Sequence, residues 1–329
     1  MDNLLNGKTI LLTGATGLIG THFLYAFRDM YNNDIDLNVI AFGKSDPPEH
    51  LTELLHMPFV KYKKINLIDD TLPEYYKDID IIIHAASYGQ PERFMAYAEE
   101  TILLNTSVTI ELFKRLAKDG KFLFISSSEV CSGIYDVPIA EDMIGTTTPY
   151  HQRACYIEAK RCGETIVNTY RGDGIDAKSV RLCLAYGDGT RKYDKRVLNE
   201  FIEKAILNKE IKLLDGGQSI RTYCYAGDAV KMMLNILLKG TSPVYNVGGV
   251  STFNIAHLAS LIGQIMNVPY VLSSDRFTLG GSPSLVNISI QRYIDEFGDM
   301  NFVSIEEGLK KTIKYQQQLY EKEIRENNK

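Results

Sequence analysis

The stretch Lys8-Thr9-Ile10-Leu11-Leu12-Thr13-Gly14-Ala15-Thr16-Gly17-Leu18-Ile19-Gly20 constrains this chain more than any other. An apolar run ends in three glycines spaced three apart, where a helix can begin. Gly14 permits the tight turn, Gly17 lets the backbone approach an anion, and Gly20 lets helix pack close to strand. The free amides of the helix's first turn then face the anion. This is the pattern of a pyrophosphate cradle, and it predicts a dinucleotide site lined by Gly14, Thr16, Gly17, Leu18, Ile19 and Gly20.

Apolar strand-like runs at 9–13, 38–42, 60–65, 79–84, 121–126 and 177–183 alternate with helix-like segments at 18–30, 94–118 and 154–171. Such alternation predicts an α/β fold of the Rossmann type, a doubly wound parallel sheet. From about Tyr186 the pattern loosens into Gly-, Asp- and Lys-rich loops around a helix near 195–207, and 222–225 with 227–238 reads as a return to the sheet. The expected division is a dinucleotide domain over 1–185 plus about 222–245, and a smaller, discontinuous substrate lobe over 186–221 and 246–329. Ser304 and Glu307 form a Ser-x-x-Glu box that predicts a helix start, with Ile305, Leu309 and Ile313 on one face and a charged, fraying tail beyond Tyr320.

Composition narrows the class. The 329 residues are 45% hydrophobic and 23% charged, with no apolar run long enough to span a bilayer. The net charge of −5 argues against nucleic acid or an anionic membrane as partner. No charged segment followed by an apolar one opens the chain, so a cytoplasmic setting is expected. Cys131, Cys155, Cys162, Cys183 and Cys224 are odd in number and lack a Cys-x-x-Cys pair, which favours reduced thiols over a disulfide frame. The six histidines show no two-His metal spacing, and no metal is expected.

Tyr156 and Lys160 lie four apart on a predicted helix and so share a face. Ser126-Ser127-Ser128-Glu129 follows the apolar run 121–125, at the carboxyl edge where sheet-borne sites form. An ammonium near a phenol favours the phenolate and brings a tyrosine of ordinary pKa ~10 toward a useful general base. Ser127 is placed to hold the same substrate hydroxyl.

The glycine turn, Ser-Ser-Ser-Glu-Val after a central strand and Tyr-x-x-x-Lys on the next helix together resemble the extended short-chain dehydrogenase/reductases, specifically the nucleotide-sugar epimerase/dehydratase group. The resemblance runs over nearly the whole chain. Asp80 through Ala86 matches the fourth strand with its cofactor-contacting alanines, Ala85 and Ala86, and Asn105 matches the Asn of the following helix. Cys155 to Glu164 looks like the active-site helix of UDP-glucuronate decarboxylases. Arg221 to Asp228 is similar to the family's Arg-x-aromatic-x-aromatic-x-x-Asp stretch, whose Arg usually grips a nucleotide diphosphate.

By that resemblance a sugar hydroxyl, usually at carbon 4, is oxidised. Tyr156 takes the proton, nicotinamide takes the hydride, Lys160 binds the nicotinamide ribose, and Ser127 positions the hydroxyl. Glu129 stands where 4,6-dehydratases carry the base for carbon 5. Ser128 replaces the Asp with which dTDP-glucose dehydratases protonate the leaving hydroxyl, and the Ser-Glu pair resembles that of GDP-mannose dehydratases and UDP-glucuronate decarboxylases. The Arg-rich segment of decarboxylases reads here Gly281-Ser282-Pro283-Ser284-Leu285-Val286, without Arg. Expected products are those of a 4,6-dehydratase or uronate decarboxylase, with a 4-epimerase, a 4-dehydrogenase or a catalytically idle dinucleotide binder as alternatives.

Gly43, Lys44, Asn66, Leu67 and Ser126 are expected at the cofactor, and Ser87, which follows the fourth strand at its carboxyl end, at the nucleotide sugar with Asn199, Arg196 and Arg221. Gly43 replaces the acidic residue usual in NAD-preferring relatives, and Lys44 follows it; NAD is expected, with NADP open. Cys131 replaces a Tyr and Leu184 an Asn of the family pattern. Arg191, Lys192, Lys195 and Arg196 form a basic loop, read as a solvated face first and a diphosphate contact second. A homodimer is expected through the helices near 94–118 and 154–171, where Leu112, Phe113, Leu116, Ile166 and Val167 either face a partner or pack on the sheet.

Overall fold

The computed structural model describes residues 4–274 and 284–321, with Arg325. In chain order the elements are β1 (Lys8–Thr13), α1 (Leu18–Tyr31), β2 (Leu37–Gly43), α2 (Thr52–Leu55), β3 (Val60–Lys64), β4 (Ile79–His84), α3 (Pro91–Ala96), α4 (Ala98–Asn105), α5 (Ser107–Phe113), β5 (Leu116–Ser127), α6 (Ala154–Gly172) and β6 (Asp176–Leu182). There follow β7 (Leu184–Tyr186), α7 (Val197–Asn208), β8 (Ile211–Lys212), β9 (Ile220–Tyr225), α8 (Ala226–Lys239), β10 (Val244–Val247), β11 (Ser251–Asn254), α9 (Ile255–Met266), β12 (Tyr270–Val271), β13 (Leu285–Val286), α10 (Gln291–Phe297) and α11 (Ile305–Leu319).

Seven strands form one parallel sheet in the order β10-β6-β5-β4-β1-β2-β3. Side chains alternate across it. Ile10, Leu12, Ile81, Ile83, Leu123 and Ile125 pack with Phe23 and Phe27 of α1 and Met232 and Ile236 of α8. Leu11, Ile82, Phe122 and Phe124 pack on the other side with Leu112 and Phe113 of α5 and Val167 of α6. Both faces are covered, which is why these strands read as continuous apolar runs. The chain leaves β1 for β2 on one side and returns to β4 on the other, so a crevice opens at the carboxyl ends of β1 and β4.

Two expectations change and one alternative is decided. In place of a helix over 94–118 stand three short helices that end at Phe113, broken at Tyr97 and Thr106, whose backbone angles are not helical, and β5 already begins at Leu116. Hydroxyls of Thr101, Thr106 and Ser107 donate to carbonyls four residues back, a local bond that bends helices. Residues 220–225 do not join the main sheet; β9 pairs with β7, β11 and β13 in a smaller one. The return to the main sheet is made by α8 and β10. Leu112, Phe113 and Val167 belong to the core between α5, α6 and the sheet, whereas Met95, Tyr97, Ile102 and Ile110 are the exposed apolar residues of this face.

The capping box is present: Ser304 accepts from the Glu307 amide at the start of α11. That helix joins α7 and α9 around Phe201, Ile202, Leu258, Ile262, Leu309 and Ile313. Gly281 to Pro283 and most of the charged tail beyond Glu321 lie outside the described residues. Among the described residues, no helix is long and apolar enough to cross a membrane.

Candidate active site

A cleft of about 560 Å³ runs from the glycine turn, along the ends of β2, β3, β4 and β5, to α7 and β9. Gly14 has φ +68°, and a Cβ there would stand 2.7 Å from the Ala85 carbonyl oxygen. A Cβ on Gly20 would collide with the Gly14 carbonyl. Only glycine satisfies both positions. Gly17 opens α1 without a side-chain cap, and Leu18, Ile19 and Gly20 line the cleft. Uncapped first-turn amides of a 14-residue helix form an anion site. The cradle fits a dinucleotide pyrophosphate.

Behind the cradle, His84 is buried between Thr13 Oγ1 at 2.7 Å and the Leu104 carbonyl at 2.8 Å. Burial pushes its pKa down to about 4, so the ring is neutral, donates to Leu104 and accepts from Thr13. The Thr13 oxygen in turn accepts the Ala86 amide at 3.1 Å, which fixes the Ala85-Ala86 turn of the cleft wall.

The Tyr156 ring is buried and stacks on Phe94, centroids 4.5 Å apart at 10°. Burial drives its pKa up to about 12; the Ser127 hydroxyl, Arg153 and Arg196 oppose the rise and the Glu129 charge adds to it. Ser127 Oγ also accepts the Glu129 amide at 3.2 Å, capping the 3₁₀ turn Ser128–Cys131. Lys160 donates to the Ile125 carbonyl at 2.6 Å, and its ammonium lies 4.9 Å from the Phe124 ring centroid and 5.6 Å from that of Tyr156. Burial lowers its pKa to about 7, with Glu164 opposing. The expected downward pull of Lys160 does not set the Tyr156 shift: both groups are buried, and desolvation favours the neutral form of each.

Glu129 is gripped by Arg153 through Nε at 3.1 Å and through Nη2. Arg153 is buried and its guanidinium lies 5.1 Å from the Phe94 ring centroid. Arg196 is bound two-pronged to Asp194. Arg221, the second residue of β9, lines the cleft and donates to the Ile220 carbonyl. Of the basic loop, Arg191 donates to Thr16 Oγ1 at 3.0 Å, Lys195 pairs with Glu203, and Lys192 lies over Tyr320. Leu184 is on the wall, and Cys131 is buried beside Arg181.

The structure therefore gathers Ser126, Ser127, Ser128, Glu129, Tyr156, Lys160, Gly43, Lys44, Asn66, Leu67, Ala85, Ala86, Ser87, Arg196 and Arg221 on one cleft. Asn105 and Asn199 stand apart. Asn105 is fully buried and donates to Ser87 Oγ at 3.1 Å and to the Thr101 carbonyl, so it reaches the cleft only through Ser87. Asn199 points away: Val197, Glu200, Phe201 and Lys204 form the cleft face of α7, and Asn199 on another face accepts from Gln316 at 3.0 Å. Sequence reasoning missed Phe94 and Arg153, and Arg191, read first as part of a solvated face, lines the cleft. Arg153 carried a signal, one helical turn ahead of Tyr156; Phe94 carried none.

A model of the NAD dependent epimerase/dehydratase family matches residues 10–248. The chain belongs to this family. It is 26% identical to UDP-glucuronic acid decarboxylase 1 of Xenopus tropicalis, over 94% of this chain and 72% of that protein. It is equally 26% identical to a dTDP-4-dehydro-6-deoxy-D-allose reductase of a Streptomyces species, over 88% and 91%. Its fold is that of the dTDP-glucose 4,6-dehydratase DesIV of Streptomyces venezuelae, with a TM-score of 0.82 at 19% identity, covering 95% of this chain and 98% of the other. The UDP-glucuronic acid 4-epimerase of Bacillus cereus gives 0.81 at 22%, covering 95% and 100%. These epimerase/dehydratase relatives span several reactions, so the particular chemistry must be argued from the site.

Proposed function

We propose that this member of the family oxidises a nucleotide-linked sugar at carbon 4 and then eliminates water or carbon dioxide. The observation that carries the reading is that Ser127, Tyr156 and Lys160, the latter two on one helix face, line the same cleft that begins at the glycine cradle. Gly14, Gly17, Gly20 and the first turn of α1 would hold the NAD pyrophosphate. When bound, NAD supplies the hydride acceptor and, in its oxidised form, a positive charge that favours the phenolate.

The chain's own residues do the rest. Ser127 donates to the phenolic oxygen, which offsets part of the burial that keeps Tyr156 protonated. Tyr156 takes the proton of the sugar's 4-hydroxyl. The 4-ketone acidifies carbon 5, and Glu129 is the carboxylate on the wall beside it in this reading, its direction fixed by Arg153. Arg221 and Arg196 serve the nucleotide diphosphate. A homodimer is part of the proposal, supported by the exposed Met95, Tyr97, Ile102 and Ile110 on α3, α4, α5 and their junction; a monomer mass in light scattering would count against it. The free thiols suit a reducing, cytoplasmic setting.

The test is incubation with UDP-, dTDP-, GDP- and CDP-linked hexoses and uronic acids, with product masses and absorbance of reduced cofactor followed together. Loss of water or carbon dioxide names the exit. An unchanged mass with a new stereoisomer would replace elimination by 4-epimerisation, and loss of two hydrogens would mean a dehydrogenase. Inertness toward every sugar would favour an idle dinucleotide binder.

A further inference from the structure

Three cations surround Gly43. The Lys44 ammonium lies 3.3 Å from Tyr88 Oη, and the Arg93 guanidinium carbon stands 5.2 Å from the centroid of the same Tyr88 ring. Arg191 arrives from the loop after β7 and donates to Thr16 Oγ1 at 3.0 Å. Thr16 Cγ2 is 3.2 Å from the point a Cβ on Gly43 would occupy. Thr16, Gly43, Lys44, Tyr88, Arg93 and Arg191 all line the cleft.

None of these cations has an ion-pair partner among the described residues, and the nearby carboxylates are committed elsewhere. Asp46 pairs with Lys64 at 2.8 Å and Asp194 with Arg196. Partial withdrawal from solvent, followed by the charge of Arg93, lowers the pKa of Arg191, as befits a cation facing another cation. The wall formed by the ends of β2 and β3, from Phe42 to Lys44 and Ile65 to Ile68, contributes no carboxylate to the cleft.

A dinucleotide site that prefers unphosphorylated ribose places a carboxylate at the end of the second strand to accept the ribose hydroxyls, whereas a basic group there accommodates a 2′-phosphate. Gly43 removes the acceptor, and Lys44, Arg93 and Arg191 supply donors. We propose that this wall receives the 2′-phosphate of a phosphorylated dinucleotide, making NADP a ligand of the cleft at least equal to NAD. The proposal rests on the dinucleotide reading above but not on the sugar reaction.

Calorimetry on the full chain, with NAD, NADP, ADP, 2′,5′-ADP and UDP as probes, tests it without turnover. NADP should bind at least as tightly as NAD, and 2′,5′-ADP about tenfold more tightly than ADP. Arg191→Ala and Lys44→Glu, the latter on an exposed side chain that the fold does not need, should each weaken NADP by about tenfold and leave NAD within about threefold. NADP affinity should also fall more steeply with salt. Tenfold tighter binding of NAD than of NADP overturns the proposal. Equal losses of both dinucleotides would assign Arg191 to the pyrophosphate, and a loss confined to UDP would assign it to the substrate; either overturns it. Binding of neither dinucleotide would sink the cofactor reading as well, while failure of the sugar panel alone would leave this inference standing.

Discussion

Arg153 binds both carboxylate oxygens of Glu129, reaching back from the approach to α6 to the turn that follows β5. The pair is largely withdrawn from water, with side chains 7% and 18% exposed. Removing one partner of such a pair leaves the other charge desolvated and uncompensated. Arg153→Met should therefore cost about 3 kcal/mol, read as a lower urea midpoint, and adding Glu129→Gln should recover much of it. Additive losses in the double variant would show that the two residues are not coupled.

Glu129→Gln alone separates the chemical steps. Hydride transfer to the cofactor should persist in a single turnover while elimination falls by about 10²-fold or more. Parallel loss of both steps would remove Glu129 from the role of carbon-5 base.

Tyr156→Phe keeps the ring that stacks on Phe94 and deletes only the hydroxyl. Turnover should drop by about 10²- to 10⁴-fold, with dinucleotide affinity nearly unchanged. Normal turnover would mean another group accepts the proton.

Stability should report the buried lysine. The Lys160 pKa is lowered from the unfolded value of 10.5 to about 7, so between those pH values the unfolded chain binds the extra proton. Its contribution is present above the upper value and is lost as pH falls through the lower one. Lys160→Met should melt several degrees higher than the wild type at pH 6, and the gap should close toward pH 10. Tyr156 acts in the opposite sense: its pKa is raised to about 12, so its contribution is lost as pH rises from 10 through 12. A pH-independent gap between Lys160→Met and the wild type would contradict the assignment.

Gly20→Ala probes the cradle. The added methyl collides with the Gly14 carbonyl, whose backbone cannot yield without moving the turn. Dinucleotide binding should fall by at least about tenfold, measured by calorimetry; retained affinity would show that the turn can relax.

Local periodicity made much of this molecule readable. The strands of the main sheet, the glycine turn and the Tyr156/Lys160 pair depend on residues within one or two turns of each other. Other features depend on distance. Phe94 meets Tyr156 across 62 positions of chain, and Arg191 meets Thr16 across 175, so no window of sequence shows either. Asn199, expected at the sugar, is off the cleft although its neighbour Glu200 lines it, because a single position on a helix turns a side chain by about 100°. The helix over 94–118 read as continuous because apolar spacing persists through it, while the hydroxyl back-bonds that break it leave no periodic mark.

Sequence alone determined the parallel sheet and the glycine turn and picked out Ser127, Tyr156 and Lys160, which line one cleft, because backbone freedom at glycine, apolar runs and helical spacing are properties of neighbouring residues. Tertiary structure decided how those groups are tuned. Burial, not the Tyr156–Lys160 spacing, sets both pKa shifts, and the clamp of Arg153 on Glu129 and the cations around Gly43 exist only where separate segments converge. Desolvation and charge pairing depend on what surrounds a group in space, and that is fixed by the fold.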